Sequence, residues 1–335
     1  MSGIMGPIMN CIGNIGFVII AAFGGYFAIH GLISVGVISA FIVYAKQFSR
    51  PINEIAQIYG QLQTAIAGAE RVFAVLDEEA EVMQGEALRA DKGASVSFEH
   101  VDFSYIPGHR VLRDFTLTVP SGKKVALVGA TGSGKTTVVN LLMRFYDVDS
   151  GDIRIDGQRL VDIARGSLRK DVAIVLQDTV LFADTVRSNL TYNNAEATQE
   201  KLDEAVEMSR CREMIDHLPQ GYDTMLAASG ANISQGQRQL LAIARAFVAD
   251  PKILILDEAT SSIDTRTEAL VQKGMDALMK GRTVFVIAHR LSTVQNSDVI
   301  MVLENGRIIE RGSHEKLIAD KGKYCQLYTG AFELE

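Results

Sequence analysis

Apolar residues follow three successive regimes along this chain. The first 45 positions contain no Asp, Glu, Lys or Arg and are dominated by Ile, Val, Phe, Ala and Gly. As helix, that stretch would extend roughly 68 Å, enough for two passes through a ~30 Å hydrocarbon layer. A short break marked by Gly24, Gly25, His30 and Gly31 predicts one span over about 8–29 and a second from near Ile33 past Tyr44. A cleaved leader would need an early basic region and a shorter apolar core; a buried hairpin of a soluble protein would show the same pattern. Lys46 and Arg50 are the first charges, which puts the end of the second span on the cytoplasmic side.

From Pro51 a different period begins. Ile52, Ile55, Ile58, Leu62, Ile66, Ala69, Val72 and Leu76 recur at three- and four-residue steps, one stripe of a long helix over 51–79. Residues 77–94 then turn polar, with Glu78, Glu79, Glu81 and Glu86, and read as a solvated linker. From Ser95 onward, short β-rich runs alternate with helical ones, which predicts an α/β domain with a largely parallel sheet. Candidate strands are 95–98, 125–128, 172–175, 253–256, 283–287 and 299–303. The implied domains are 1–80, a linker over 81–94, and 95–335.

The chemistry is concentrated in that last region. Gly129-Ala-Thr-Gly-Ser-Gly-Lys-Thr-Thr137 has the spacing of a phosphate cradle after a short buried strand. Gly129, Thr131, Gly132, Ser133 and Gly134 would wrap an anion, and a helix starting near Lys135 would point its positive end at it. Lys135 would reach the β- and γ-phosphates, Thr136 would hold Mg²⁺, and Thr137 completes the loop. A second signal is Ile253-Leu-Ile-Leu256 followed by Asp257 and Glu258. Four apolar residues make a doubly buried strand, and ligands of open α/β sheets sit at its carboxyl end. Asp257 suits Mg²⁺ ligation, and Glu258 suits activation of an attacking water. The third is Asn232-Ile-Ser-Gln-Gly-Gln237 at a helix start. Ser234, Gly236 and Gln237 would form a second anion-binding terminus, although such a serine is often only a cap.

Composition narrows the field. At 335 residues with 47% apolar content there is room for about two domains. A net charge of −7 argues against an extended nucleic-acid surface. Cys11, Cys211 and Cys325 form no paired framework.

These motifs, in this order, resemble the nucleotide-binding domain of the ATP-binding cassette family over residues 95 to about 329. Ile233–Gln237 is similar to the family's signature loop. By the same resemblance Gln177 corresponds to the magnesium-sensing glutamine, Asp264 to the D-loop, His289 to the switch histidine and Tyr105 to the aromatic that stacks on adenine. The resemblance implies a membrane α-helical segment followed by an α/β P-loop ATPase domain with a helical signature subdomain. The leading 94 residues look like the last two of six spans and the helix entering the cassette, with four further spans expected outside this sequence. Implied with them are ATP and Mg²⁺, membrane lipid, an exported substrate of unknown identity, a second half-transporter as hetero- or homodimer partner, and a multi-pass plasma-membrane location with a cytoplasmic cassette.

Two departures qualify that likeness. Gln235 stands where the signature usually has glycine, and Leu226–Gly230 lacks an expected glutamate, as in one half of bacterial heterodimeric exporters. A complete Lys135/Glu258 site beside a weakened signature is the expectation. The rival readings are a nucleotide-gated subunit that binds ATP without pumping and a soluble cassette protein.

Overall fold

A computed structural model describes residues 2–330 apart from 82, 91–92, 177–178, 259–263 and 289–293, with backbone only for 2–10, 49, 53, 56, 258 and 288. The chain divides into two compact units, Met1–Glu81 and Val82–Glu335.

The first unit is a helical hairpin. Helix α1 covers Ser2–Ile29 and α2 covers Val35–Leu76, with Ser34 as N-cap and Gly31 at φ +72 in the turn. The two helices approach closely where Gly24 faces Ile38; a Cβ at Gly24 would stand 3.1 Å from that side chain. Gly24 and Gly25 lie inside α1, so the break begins only after Ile29. The expected second span and the expected 51–79 helix are one continuous helix that ends at Leu76. Its apolar part is short: eleven residues, 35–45, precede Lys46. Among the described residues, only Cys11–Ile29 is long and apolar enough to cross a membrane, with mean hydropathy 1.9. Val18 and Phe23 are each 62% exposed, which suits an apolar solvent better than water. The stripe from Ile52 to Leu76 is likewise uncovered within this unit.

The second unit is built on two sheets rather than one. Strands β1 (Val96–Ile106), β2 (His109–Val119), β4 (Ser150–Ile155) and β5 (Gln158–Arg159) form an antiparallel sheet in the order β2-β1-β4-β5. The other sheet runs β10-β9-β3-β8-β7-β6, made of Arg307–Gly312, Val299–Glu304, Lys124–Val128, Thr283–Ala288, Ile253–Glu258 and Val172–Val175. Its four pairings beyond β10 are parallel, and β10 closes it as an antiparallel edge.

The unbroken apolar runs of the central strands are explained by two cores, one on each face. Val125, Leu127, Ile253, Ile255, Phe285 and Ile287 point to the side of the antiparallel sheet and helix α3 (Lys135–Leu142). Ala126, Val128, Leu254, Leu256, Val284 and Val286 point to the helical side. There α8 (Gln235–Ala249) buries Leu240, Ala244 and Val248 at four-residue spacing and stops at Asp250, whose φ of +47 precedes Pro251. Period-two alternation with both faces covered leaves no polar position in the strand.

The linker is not fully solvated. Residues 77–81 are exposed, but Glu86 forms a parallel bridge with Ile163. Its N–H donates to Asp162 O and its carbonyl accepts from the Ala164 N–H, both at 2.8 Å. The Leu88 N–H donates to Ser167 Oγ at 2.9 Å, and the Leu88 side chain is buried. Arg144, just beyond α3, holds the underside of this strap by donating to Ile163 O at 2.7 Å and to Leu160 O at 3.3 Å. Gly85 lies so close to the 163–164 backbone that a Cβ would sit 2.5 Å from Ala164 N. Gly85→Ala is therefore expected to undock the strap and lower the unfolding midpoint by about 2–4 °C, the response to ~1 kcal/mol in a domain of this size. Thermal unfolding followed by circular dichroism reads the shift.

Candidate nucleotide-binding site

Strand β3 ends at Val128, and Gly129 turns the chain out of the sheet. A Cβ at Gly129 would collide with the Leu303 carbonyl oxygen, so only glycine fits there. Gly134 is the N-cap of α3 at φ +106, a conformation that side-chain-bearing residues avoid. Between the two glycines, the Ser133 N–H donates to Ala130 O, and the Gly306 N–H donates to Ser133 O, each at 3.1 Å. The loop is thereby fastened to the turn between β9 and β10.

Lys135 is 9% exposed, and its Nζ donates to Gly129 O at 2.7 Å and Ala130 O at 3.0 Å. Burial pushes the ammonium pKa below its ordinary value, opposed by the nearby Asp257 carboxylate. The Ser133 hydroxyl is buried with no hydrogen-bond partner among the described residues. First-turn N–H groups of α3 have no intrahelical carbonyl to bond. A polyphosphate supplies an acceptor for Ser133, partners for the N–H groups and further negative charge for Lys135. Thr136 is exposed beside them, while Thr137 is 5% exposed.

Tyr105, near the end of β1, comes to the same place from the antiparallel sheet. Its hydroxyl donates to Thr137 Oγ1 at 3.3 Å and accepts from Asn140 Nδ2 at 3.0 Å. Phe103 and Tyr146 stand nearly perpendicular to its ring, at 85° and 88° with centroids 4.9 and 5.0 Å away. Sequence reading missed Asn140 and Tyr146. Asn140 sits three residues beyond Thr137 on one helix face, and Tyr146 is one of few aromatics in the chain; those signals were available.

Register assembles the remaining groups at one sheet edge. Leu256 pairs with Val175, Asp257 with Ile287 and Glu258 with Ala288. The carboxyl ends of β6, β7 and β8 therefore align beside the end of β3. Strand β7 runs through both acids instead of stopping before them. Asp257 is partly buried. The Glu258 side chain lies outside the described residues, as do Gln177, His289 and residues 261–263. Asp264 caps helix α9 (Thr265–Met279): its carboxylate accepts from the Thr267 N–H at 2.9 Å, and that bond holds its pKa below the usual carboxylate range.

The candidate signature starts α8. Ser234 Oγ accepts from the Gln237 N–H at 3.3 Å, and Gln237 Oε1 accepts from the Ser234 N–H at 2.8 Å, a reciprocal capping box. Gly236 is buried, while Ser234 is exposed. Asn232 braces the approach by donating to Met225 O and accepting from the Ala227 N–H. The cap explains the serine locally, and the exposed turn leaves that helix end open to a ligand from outside.

Two further features lie apart from this site. A concavity of about 720 Å³ between the β1–β2 hairpin and β10 is lined by Arg110, Arg113, Arg307, Asp102, Asp114 and Asp149, a charge-balanced wall without a phosphate-loop residue. Cys211 is fully buried, which pushes its thiol up to about 12 and keeps it inert. No cluster of three His, Cys, Asp or Glu able to hold a metal occurs among the described residues.

Residues 112–261 match a family model described as ABC transporter. An uncharacterized ABC transporter ATP-binding protein of Bacillus subtilis (strain 168) is 48% identical over 335 residues, covering 99% of this chain and 56% of that protein. A fatty acid ABC transporter ATP-binding/permease protein of Mycobacterium tuberculosis (strain CDC 1551 / Oshkosh) is 47% identical over 327 residues, 98% of this chain and 52% of its own length. An ATP-dependent lipid A-core flippase of Syntrophus aciditrophicus (strain SB) is 40% identical, with 99% and 56% covered. Among solved structures, a bacterial Atm1-family ABC exporter with ATP bound superposes with a TM-score of 0.72 and 36% identity, over 96% of this chain and 57% of that one. The chain thus spans about half the length of the relatives it matches.

Proposed function

From the premise that this chain carries the ATP-binding domain of the ABC transporter family, we propose that it is the ATP-binding and hydrolysing part of a membrane exporter. The observation that carries the reading is the phosphate loop: a buried Lys135 parked on Gly129 and Ala130 carbonyls beside an unpartnered buried Ser133 hydroxyl. Relatives named as fatty acid, lipid A-core and multidrug proteins support export; the cargo of this chain is a separate question.

In this reading, Tyr105 offers a ring face to the base, while the first turn of α3 and Lys135 bind the β- and γ-phosphates. Mg²⁺, when bound, neutralises phosphate charge; Thr136, Asp257 and Gln177 are the residues that would hold it. Glu258 orients and deprotonates the attacking water at the carboxyl edge of β7, and His289 follows β8 on the neighbouring strand to meet the γ-phosphoryl oxygens. Bond making to the water oxygen and bond breaking to the β-phosphate oxygen proceed in line. Thr131 and Gly132 complete the loop's cradle.

The exposed end of α8 is the second half of the proposal. Ser234, Gly236 and Gln237 face a nucleotide held by a second half-transporter, whose own signature covers Lys135; Asp264 lies at the same seam. Gln235 adds bulk beside the partner's phosphate and favours an unlike partner. The leading hairpin anchors the assembly in the plasma membrane as a multi-pass unit with the ATPase domain in the cytoplasm. Closure of the pair around ATP drives the export step, and hydrolysis resets it.

A shared site makes activity depend on association. Specific ATPase activity of the purified chain, alone or mixed with its partner, is expected to rise with protein concentration. A flat profile with full turnover by isolated monomers would remove the shared-site reading.

A further inference from the structure

We propose that Asn140 is a positioning residue of the nucleotide site: its amide fixes the Tyr105 hydroxyl so that base platform and phosphate loop form one preorganised unit. The proposal rests on the nucleotide reading above.

Tyr105 needs such a device. It lies on the last turnward residues of β1, where the pairing with β2 is irregular on both sides of Ser104. The ring is 42% exposed, so backbone register and burial leave its orientation open. Phe103 and Tyr146 restrict its tilt through perpendicular ring contacts. The tip of the ring is held by two polar bonds among the described residues: 3.3 Å to Thr137 Oγ1 and 3.0 Å from Asn140 Nδ2. The Asn140 bond is the shorter of the two, and it consumes an acceptor position on the phenol while the phenol's own proton goes to Thr137.

Both partners ride on α3. Lys135 and Thr136 stand in its first turn, Thr137 follows, and Asn140 is three residues on along the same face. The helix that presents N–H groups and Lys135 to the phosphates therefore also sets the plane on which the base would lie. Stacking on an aromatic face tolerates any base, so the tether acts on affinity through preorganisation and not through base identity. A purely structural asparagine at this partly exposed helix position would behave differently: alanine is the better helix former and would leave ligand binding untouched.

The experiment compares ATP with inorganic tripolyphosphate, which occupies the phosphate loop without a base, by titration calorimetry on the full chain. Asn140→Ala is expected to weaken ATP binding by about fivefold, the size of one neutral hydrogen bond, and Tyr105→Phe, which also gives up the bond to Thr137, by at least as much. Tripolyphosphate binding should stay within about twofold, since the loop itself is intact. Because Tyr105→Phe already removes the bond that Asn140→Ala breaks, the double variant should bind ATP as Tyr105→Phe alone does and not lose the product of the two. An unchanged ratio of ATP to tripolyphosphate affinity in Asn140→Ala, or simple additivity in the double variant, would overturn the positioning role. Wild-type chain that binds neither probe would overturn the nucleotide reading and this proposal together.

Discussion

Lys135→Ala is expected to weaken ATP binding by roughly a hundredfold, about 2.7 kcal/mol, the value of charge-assisted bonds to two phosphate oxygens. Turnover should fall at least as far. The variant should nevertheless fold. In the free loop the ammonium is buried against two carbonyls, and its pKa is depressed by that burial. A lysine whose folded pKa lies below 10.5 makes the unfolded chain bind more protons between the two values. Its presence therefore makes stability rise with pH across that window, and alanine should flatten the slope there. A variant that retained ATP affinity, or that lost it together with cooperative unfolding, would remove Lys135 from the site. Equilibrium binding and a pH series of thermal melts distinguish these outcomes.

Glu258→Gln is the complementary case. Glutamine keeps the size and hydrogen-bonding reach of the side chain but cannot take a proton from water. Steady-state phosphate release should drop by about 10²–10⁴-fold, the usual contribution of a general base. ATP affinity should remain within about twofold, because the phosphates are held by α3 and its loop. The prediction follows from position: β7 delivers Glu258 to the sheet edge in register with Ala288, beside the turn that carries Lys135. Normal turnover by the glutamine variant would move the base elsewhere.

Legibility in the sequence was uneven for physical reasons. The phosphate loop could be read directly because its residues are contiguous and each has a steric or electrostatic reason to be there. Gly129 faces a carbonyl, Gly134 has a positive φ, and Lys135 is buried between loop oxygens. The central strands were equally plain, since burial on both faces demands uninterrupted apolar runs. The β1–β2 hairpin was caught only at its first residues. One of its faces is exposed, and the two-residue turn Pro107-Gly108 is a weak hairpin signal compared with Asp156-Gly157. The strap from Gly85 to Leu88 was invisible because it is held by backbone groups, which carry no side-chain signature; its glutamates pointed instead to a free linker. Asn140 was missed because its partner lies 35 positions away on another sheet. Helix α2 was read as two pieces because its apolar pattern changes from an uncharged run to a single stripe near Pro51, whereas the helix continues through that proline.

That proline has a mechanical consequence. Helix α2 is 42 residues in one piece, a rod of roughly 63 Å. Pro51 has no N–H to give the Gln47 carbonyl, so the rod lacks one rung of its ladder at that level. Sharp bends in long helices fall at such missing rungs. Lateral deflection of the rod is thus absorbed at one compliant joint, about two-fifths of the way along.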